Sequence, residues 1–342
     1  VNLRQLSELL GLSQTTISRA LNGYPEVSEE TRRRVRLAAD ETGYRPNRAA
    51  RRLATGKSGS IGLVIPTKPG QTSDVHFGEF QLGLAEEALR HDFHFVIMPA
   101  HGEDEAQAMR WMAASGHVDG YYLAYMRRND PRIALALSLD MPFVVHGRAT
   151  GVDVDYPYLD VDNHGAFYRA ARLLLDLGHT RVALLNGPSE YDFAIRRRQG
   201  LIDALAERGL ALDLAFDMHG AMTDEMGASA MTRLLQAPQR PTAVLCCSTV
   251  IALGAVRALN RAGLTLGRDM SLIAHDDVLP LLKPENFLVP LTTTRSSLRA
   301  AGTRIAERLI AQINGAAPSL PSHELWEADL VVRASTGPAP KA

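Results

Sequence analysis

Leu12-Ser13-Gln14-Thr15-Thr16-Ile17-Ser18-Arg19-Ala20-Leu21-Asn22 is the stretch whose reading decides the fold. As a helix it is polar on one face and apolar on the other. Ser13 suits the N-cap, because its hydroxyl can accept from the free backbone N–H groups of the first turn. Ile17, Ala20 and Leu21 fall three and four apart and share the inward face. Gln14, Thr15, Ser18, Arg19 and Asn22 then point outward. That set is amide, hydroxyl and guanidinium with no acid in it, and such groups bond base edges and phosphates. Upstream, Asn2 can cap a first helix, with Gln5 in capping-box position. Leu6, Leu9 and Leu10 supply its buried stripe and Gly11 stops it. Helix, short glycine-containing turn and second helix make the helix-turn-helix pattern; the alternative is an ordinary helical hairpin packed on a core.

Ser28, followed by Glu29 and Glu30, starts a third helix with negative charge at its N-terminus. Val35, Ala38, Ala39 and Thr42 form its inner face and Gly43 ends it. Arg32, Arg33, Arg34 and Arg36 run around the outside, where they add positive field more than readout. Residues 47–54 read as a further helix after Pro46. A segment of about eight residues is too short to be stable alone in water, so it is expected to order only against a partner. Gly56-Lys57-Ser58-Gly59-Ser60 is a flexible joint. Its Gly-Lys-Ser is not a phosphate loop: Arg51 stands where the leading glycine belongs, and the segment precedes a strand instead of following one.

The 342 residues are enough for two or three domains. Cys246 and Cys247 are the two cysteines; adjacent, they offer no disulfide framework and suit a reducing compartment. No apolar run reaches spanning length and the start is a polar helix, so a soluble, cytoplasmic chain without a membrane partner is expected. The net charge of −1 is uneven: residues 1–60 carry 11 Lys and Arg against 6 Asp and Glu. A basic head on an acidic body points to nucleic-acid contact at one end.

From Ile61 the rhythm changes to short β-rich runs alternating with amphipathic helices. Strands are expected at 61–65, 94–98, 120–123, 143–145, 182–186, 243–247, 271–274 and 291–294, with a last strand-like run at 325–332. Helices are expected at 80–91, 105–114, 165–177, 197–208, 225–236, 251–262 and 298–313. The pattern is α/β with parallel sheets. A break at Tyr156-Pro157-Tyr158 favours two doubly wound lobes over one closed barrel. Catalytic signatures are missing: there is no Gly-x-Ser-x-Gly, His-Glu-x-x-His, Cys-x-x-Cys or dinucleotide fingerprint. His101-Gly102-Glu103 lacks the Pro-Cys-x-x-Cys of a zinc deaminase. The chain is therefore not expected to be an enzyme, nor to hold a metal or cofactor. His275-Asp276-Asp277, just after a strand, is the most loaded cluster; strand carboxyl ends are where α/β folds meet ligands, and a helix cap or edge salt bridge is the rival reading.

These residues resemble the lactose-repressor/galactose-repressor (LacI/GalR) family of bacterial transcription regulators over nearly the whole chain. The resemblance rests on Leu12–Gly23, Val27–Val35 and Gly43–Leu53 in the head. In the body it rests on 61–66, 159–163, 177–185, 252–256 and 290–294. It implies an α/β protein with an all-α head: a helix-turn-helix DNA-binding domain at 1–45 and a hinge helix and linker at 46–59. A two-lobed, periplasmic-binding-protein-like core of doubly wound parallel sheets follows at 60–335, then a tail at 336–342. The amino lobe would take 60–158 and 289–318, the carboxyl lobe 159–288 and 319–335.

The implied function is a homodimeric repressor of sugar or glycoside uptake and catabolic genes. It would bind a double-stranded, pseudo-palindromic operator and be released by a small-molecule effector held between the lobes. A purine- or nucleoside-responsive regulator of the same family, and a sugar-binding solute receptor, are the alternatives. Gln14, Thr15 and Arg19 fall at the family's major-groove positions, and Ser13, Thr16, Ser18 and Asn22 at phosphate-side positions. Leu53 falls where a hinge leucine wedges into the minor groove, beside Asn47 and Ala50. In the core, Arg197 and Asp276 fall at effector-gripping positions, and Phe77 and Arg148 in cleft-facing segments. Tyr191 and Phe193 are candidates for stacking on a sugar face, with loop packing as the rival reading. Cys247-Ser248-Thr249 departs from the family's Asn-Asp, leaving Ser248 as the polar candidate there.

Overall fold

The computed structural model describes residues 1–21, 23–45, 56–66, 75–100, 104–316 and 322–341. The chain divides into two compact units, Val1–Gly59 and Ser60–Ala342. Among the described residues of the first, three helices form on their own capping signals. Helix α1 (Leu3–Leu10) begins on a full capping box: Asn2 Oδ1 accepts from the Gln5 amide at 3.0 Å and the Asn2 amide donates to Gln5 Oε1 at 2.9 Å. It ends at Gly11 with φ +63°. Helix α2 (Gln14–Leu21) starts at Ser13, whose Oγ accepts from the Thr16 amide at 3.0 Å. Helix α3 (Glu29–Thr42) is capped by Ser28. Leu6, Ile17, Ala20, Val27, Val35, Ala38, Ala39 and Tyr44 close a small core. Leu9 does not join it: the residue is 63% exposed, because the inward stripe of α1 follows Leu3, Leu6 and Leu10.

The second unit holds two six-stranded sheets, as the two-lobe reading requires and a closed barrel does not. The first is ordered β11-β5-β4-β3-β1-β2 and parallel throughout. Its strands are β1 (Ser60–Pro66), β2 (His94–Ala100), β3 (Gly120–Leu123), β4 (Phe143–His146), β5 (Tyr158–Val161) and β11 (His323–Trp326). The second is ordered β12-β10-β9-β8-β6-β7, parallel except for antiparallel β12. It comprises β6 (Val182–Asn186), β7 (Asp217–His219), β8 (Ala243–Cys246), β9 (Ser271–Asp276), β10 (Thr292–Arg295) and β12 (Asp329–Val331). Central strands such as β3, β6 and β8 are buried along their length, as strands covered by helices on both faces must be.

The chain crosses between lobes three times, each a few residues later than the sequence suggests. The strand before each crossing belongs to the lobe it leaves. Thus β5 stays with the first sheet past residue 158, β10 stays with the second sheet past 289, and the run 325–332 splits into β11 and β12 on opposite lobes. The expected tail is also part of the fold. Ser335 is buried, its Oγ donates to the Leu272 carbonyl at 2.6 Å, and the Gly337 and Ala339 amides bond Ser271 Oγ and the Leu177 carbonyl.

Within each lobe, helices approach closely through facing glycines. A methyl group on Gly302 would stand 2.1 Å from the Phe80 carbonyl oxygen, and one on Gly254 would stand 1.8 Å from that of Asp224. These pack helix Leu298–Ile313 on Val75–Arg90 and helix Thr249–Arg261 on Asp224–Leu235. Neither contact leaves room for Cβ without backbone movement. Gly254→Ala is therefore expected to destabilise the core by about 1–3 kcal/mol, read as a lower urea midpoint at unchanged m-value; an unchanged midpoint would disprove the close contact.

Candidate functional site

The head presents Gln14, Thr15 and Arg19 as exposed side chains along one side of α2. Ser13 is exposed but engaged, its hydroxyl 2.8 Å from that of Thr16. Thr16 and Ser18 are half-buried. Arg33, Arg34 and Arg36 are exposed on α3, while Arg32 is tied to Glu29 at 3.1 Å and to the Val27 carbonyl at 2.9 Å. The exposed polar groups of α2 are thus an amide, a hydroxyl and a guanidinium, the donors and acceptors that read base edges. Asn22, Asn47, Ala50 and Leu53 lie outside the described residues.

In the core, a cleft opens where the carboxyl ends of the two sheets meet. Each polar group in it sits at or just beyond a strand end or on the first turns of a helix. His146 ends β4, Arg148 follows it, and Asp160 lies in β5. Asn163 opens helix Asn163–Asp176, and Asp192 and Arg197 lie on helix Asp192–Ala206. His275 and Asp277 mark the end of β9, and His76 and Phe77 begin helix Val75–Arg90. The apolar wall comes from Phe80, Tyr122, Tyr125, Phe193, Met222 and Leu298.

Arg197 is the most elaborately held residue. Its Nε donates to Asn163 Oδ1 at 2.8 Å and its Nη1 to the Cys247 carbonyl at 2.6 Å. The guanidinium lies over the rings of Phe167 and Phe193, 5.3 and 5.1 Å from their centroids. Nε and one N–H of Nη1 are engaged, so the guanidinium keeps further N–H groups that can donate to a ligand. Arg148 is paired with Asp160 at 2.7 Å; burial still pushes the Asp160 carboxyl above its ordinary value, against the pull of that guanidinium.

The two lobes also touch directly. His76 Nε2 of the first lobe lies 3.3 Å from Asp277 Oδ2 of the second. The Asp192 amide donates to the Met126 carbonyl at 2.8 Å, and Asp192 Oδ1 accepts from the Thr150 amide at 2.8 Å. The Tyr191 ring lies 5.5 Å from Tyr125 and 6.0 Å from Phe193.

Of the residues singled out in the core, Phe77, Arg148, Phe193 and Arg197 line the cleft. Asp276 does not. It faces the other side of the sheet, where it accepts from the Val278 amide at 2.8 Å and lies 3.6 Å from Arg295; Asp277 takes the cleft position. Alternation along β9 puts 275 and 277 on one face, so a one-residue error in phase selects the wrong carboxylate. Ser248 does not line it either: it is fully buried as the N-cap of helix Thr249–Arg261, its Oγ accepting from the Ile251 amide. Tyr191 packs between lobes instead of lining the cleft. Sequence reasoning missed His76, His146, Asp160, Asn163 and Asp192; the available signal was that each stands at a strand end or helix start. Among the described residues, no cluster of metal-ligating side chains occurs.

Two lining histidines are held neutral. Burial pushes His146, whose ring stacks on Phe80 at 4.4 Å, down to about 4. Burial, then Arg197 and His76, push His275 well below its ordinary value. At pH 7 both rings are therefore uncharged, and the two nitrogens of His275 are engaged by Thr294 Oγ1 at 2.9 Å and Ser296 Oγ at 3.0 Å.

Two family models match the chain: "Bacterial regulatory proteins, lacI family" over residues 3–47, and "Periplasmic binding proteins and sugar binding domain of LacI family" over residues 58–324. The HTH-type transcriptional regulator AglR of Rhizobium meliloti (strain 1021) is 67% identical over 340 residues, covering 99% of this chain and 95% of AglR. The HTH-type transcriptional regulator CelR of Thermobifida fusca is 30% identical over 335 residues, 97% of each chain. Among solved structures, a CelR–cellobiose complex superposes with TM-score 0.70 at 28% identity, covering 97% of this chain and 99% of that one. The lac repressor dimer bound to operator and anti-inducer superposes with TM-score 0.80 at 24% identity, covering 98% and 99%, a likeness of fold.

The depressed histidines set a pH dependence. Below about pH 6.5 the unfolded chain takes up protons that folded His146 refuses until about pH 4, so stability is expected to fall as pH drops through that window. Urea midpoints between pH 7 and 4 should show this slope, and His146→Gln should flatten it; an equal slope in the variant would place His146 in an unperturbed site.

Proposed function

The chain belongs to the LacI family of DNA-binding transcriptional regulators, and on that premise we propose that it represses carbohydrate uptake or catabolic genes in the cytoplasm under control of a sugar or glycoside effector. The observation that carries the effector reading is the Arg197 site. A guanidinium lying over two rings and held by Asn163 stands beside neutral imidazoles and carboxylates. Hydroxyl groups are the ligand chemistry that uses donors and acceptors at such density, and the aromatic wall suits the apolar face of a sugar ring. The CelR–cellobiose complex among the similar structures supports the same class.

Operator binding would use Gln14, Thr15 and Arg19 in the major groove, with the proposed hinge at 46–59 in the minor groove. The working unit is a homodimer on a pseudo-palindromic site. Leu281, fully exposed, with Leu288 and Leu253 on the second lobe and Ile97 on the first, supplies apolar surface for pairing. No described helix is long and apolar enough to cross a membrane. Effector binding changes the relation of the lobes, separates the hinge segments and weakens operator binding; binding to random DNA, set by phosphate charge, changes less.

The test is operator selection from a random duplex pool, followed by affinity measurement with and without candidate sugars. Arg19→Ala is expected to cost about 1–3 kcal/mol on the selected operator while changing random-DNA binding little. Arg197→Ala is expected to keep operator affinity and lose release by sugar. No preference for any sequence would sink the regulator reading, and full release of Arg197→Ala by the same sugar would remove Arg197 from the effector site.

A further inference from the structure

Helix Asp192–Ala206 carries Arg197 in its second turn, so whatever sets its first turn also sets that guanidinium. Its N-cap is Tyr191, a residue type that does not close first-turn amides as serine or aspartate does. Closing groups come from the first lobe instead. The Asp192 amide donates to the Met126 carbonyl at 2.8 Å, and Arg127 pairs with Tyr191 in an antiparallel bridge. The Asp192 side chain is buried and reaches the same lobe: Oδ1 accepts from the Thr150 amide at 2.8 Å and Oδ2 from Arg196 Nε. Arg196 Nη2 in turn donates to Thr150 Oγ1 at 3.1 Å. The first-lobe loop is shaped to meet these groups. Buried Asp130 accepts from the Arg127 amide at 3.0 Å and pairs with Arg132. Tyr125 holds φ +54°, a left-handed backbone that a tyrosine adopts only where its surroundings impose it. Met126 lies between these two fixed points, which hold its carbonyl in place.

We propose that Asp192 is the positioning residue of an interlobe latch: it fastens the first lobe onto the start of the Arg197 helix, so that entry and exit of an effector wait on the latch parting. This rests on the reading of the cleft as the effector site and goes beyond it. The contacts are complete between protein groups alone, so the latch needs no ligand to form. Parting the lobes takes the Thr150 amide from Asp192 and the Met126 carbonyl from the helix start together, which couples lobe position to the turn that bears Arg197. Tyr125, Met126, Asp192 and Phe193 also line the cleft, so one wall of the cleft is the latch itself. The rival role for Asp192 is confined to its own lobe: an acid in the first turn stabilises a helix wherever it stands.

Hydrogen exchange on the full chain at pH 7 without sugar, read by mass spectrometry, tests the latch. The amide at position 192 has its acceptor in the other lobe, so its protection reports lobe contact. Asp192→Ala keeps that backbone donor, yet should speed exchange there by about tenfold or more, the scale of one lost charge-assisted bond. The amides of β8 should keep their protection and show that the fold is intact. Asp192→Asn, which retains an acceptor for the Thr150 amide, should fall between. Stopped-flow fluorescence and calorimetry with cellobiose, maltose, sucrose and trehalose then test the gating. In the wild type the observed binding rate should level off as sugar is raised, because entry waits on opening. In Asp192→Ala it should keep rising, with affinity about tenfold weaker through faster release. An acid acting only on its own helix would leave the shape of that rate curve unchanged, and this result overturns the proposal. A wild type unprotected at position 192, or equal exchange there in Asp192→Ala, overturns it as well. If none of the four sugars binds to a protein that still retains its operator, the sugar reading falls, while the exchange arm still decides the latch.

Discussion

A parallel sheet has a direction, and this core depends on both of its sheets pointing their carboxyl ends at one place. The polar residues of the cleft follow from that polarity. Strand ends leave backbone groups and short loops unpaired with the sheet, and the next helix begins there with its free amides. His146, Asp160, Asn163, Asp192, His275 and Asp277 all occupy such positions. Had one sheet run the other way, the same side chains would lie on opposite ends of the molecule. Crossover helices between parallel strands lie on the faces of a sheet and keep the strand ends clear.

The charges around the cleft are supported by a second layer. Asp130 and Arg132 are both buried and paired at 2.6 Å, with Glu105 3.2 Å from Arg132. Burial works against the Asp130 carboxylate, yet the Arg132 guanidinium holds it below its usual range. Removing one partner of such a group leaves an uncompensated buried charge, and Arg132 Nη2 also donates to the Tyr125 carbonyl at 3.0 Å. Among the described residues the lobes meet at a charged and aromatic seam around Tyr125–Tyr191 and at the His76–Asp277 contact.

The head was legible in the sequence because its determinants are local. Asn2, Gln5, Ser13, Ser28, Gly11 and Gly43 are caps that act within four residues, and the spacing of Ile17 and Ala20 marks the buried face directly. Leu9 was misread because an eight-residue helix gives few turns with which to phase a stripe. In the core, strand and helix order could be read from periodicity, but the lobe boundaries could not. A crossing is a tertiary event, and nothing in β5 or β10 announces which sheet it joins. The same limit explains the neighbouring aspartates. Composition shows two acids after a strand, and only the phase of the pleat tells that Asp277 faces the cleft and Asp276 does not. Ser248 shows the reverse case: a serine directly before a helix is a natural N-cap, and its hydroxyl accepts from the Ile251 amide instead of facing the cleft.

The three crossings lie side by side, because β5 neighbours β11 in one sheet and β10 neighbours β12 in the other. The lobes are therefore joined by a three-ply strap. Such a strap bends and twists readily but resists sliding, so the lobes can swing about it without losing their alignment. It also gives redundancy: a protease that cuts one ply leaves two covalent connections, and the halves remain a single body.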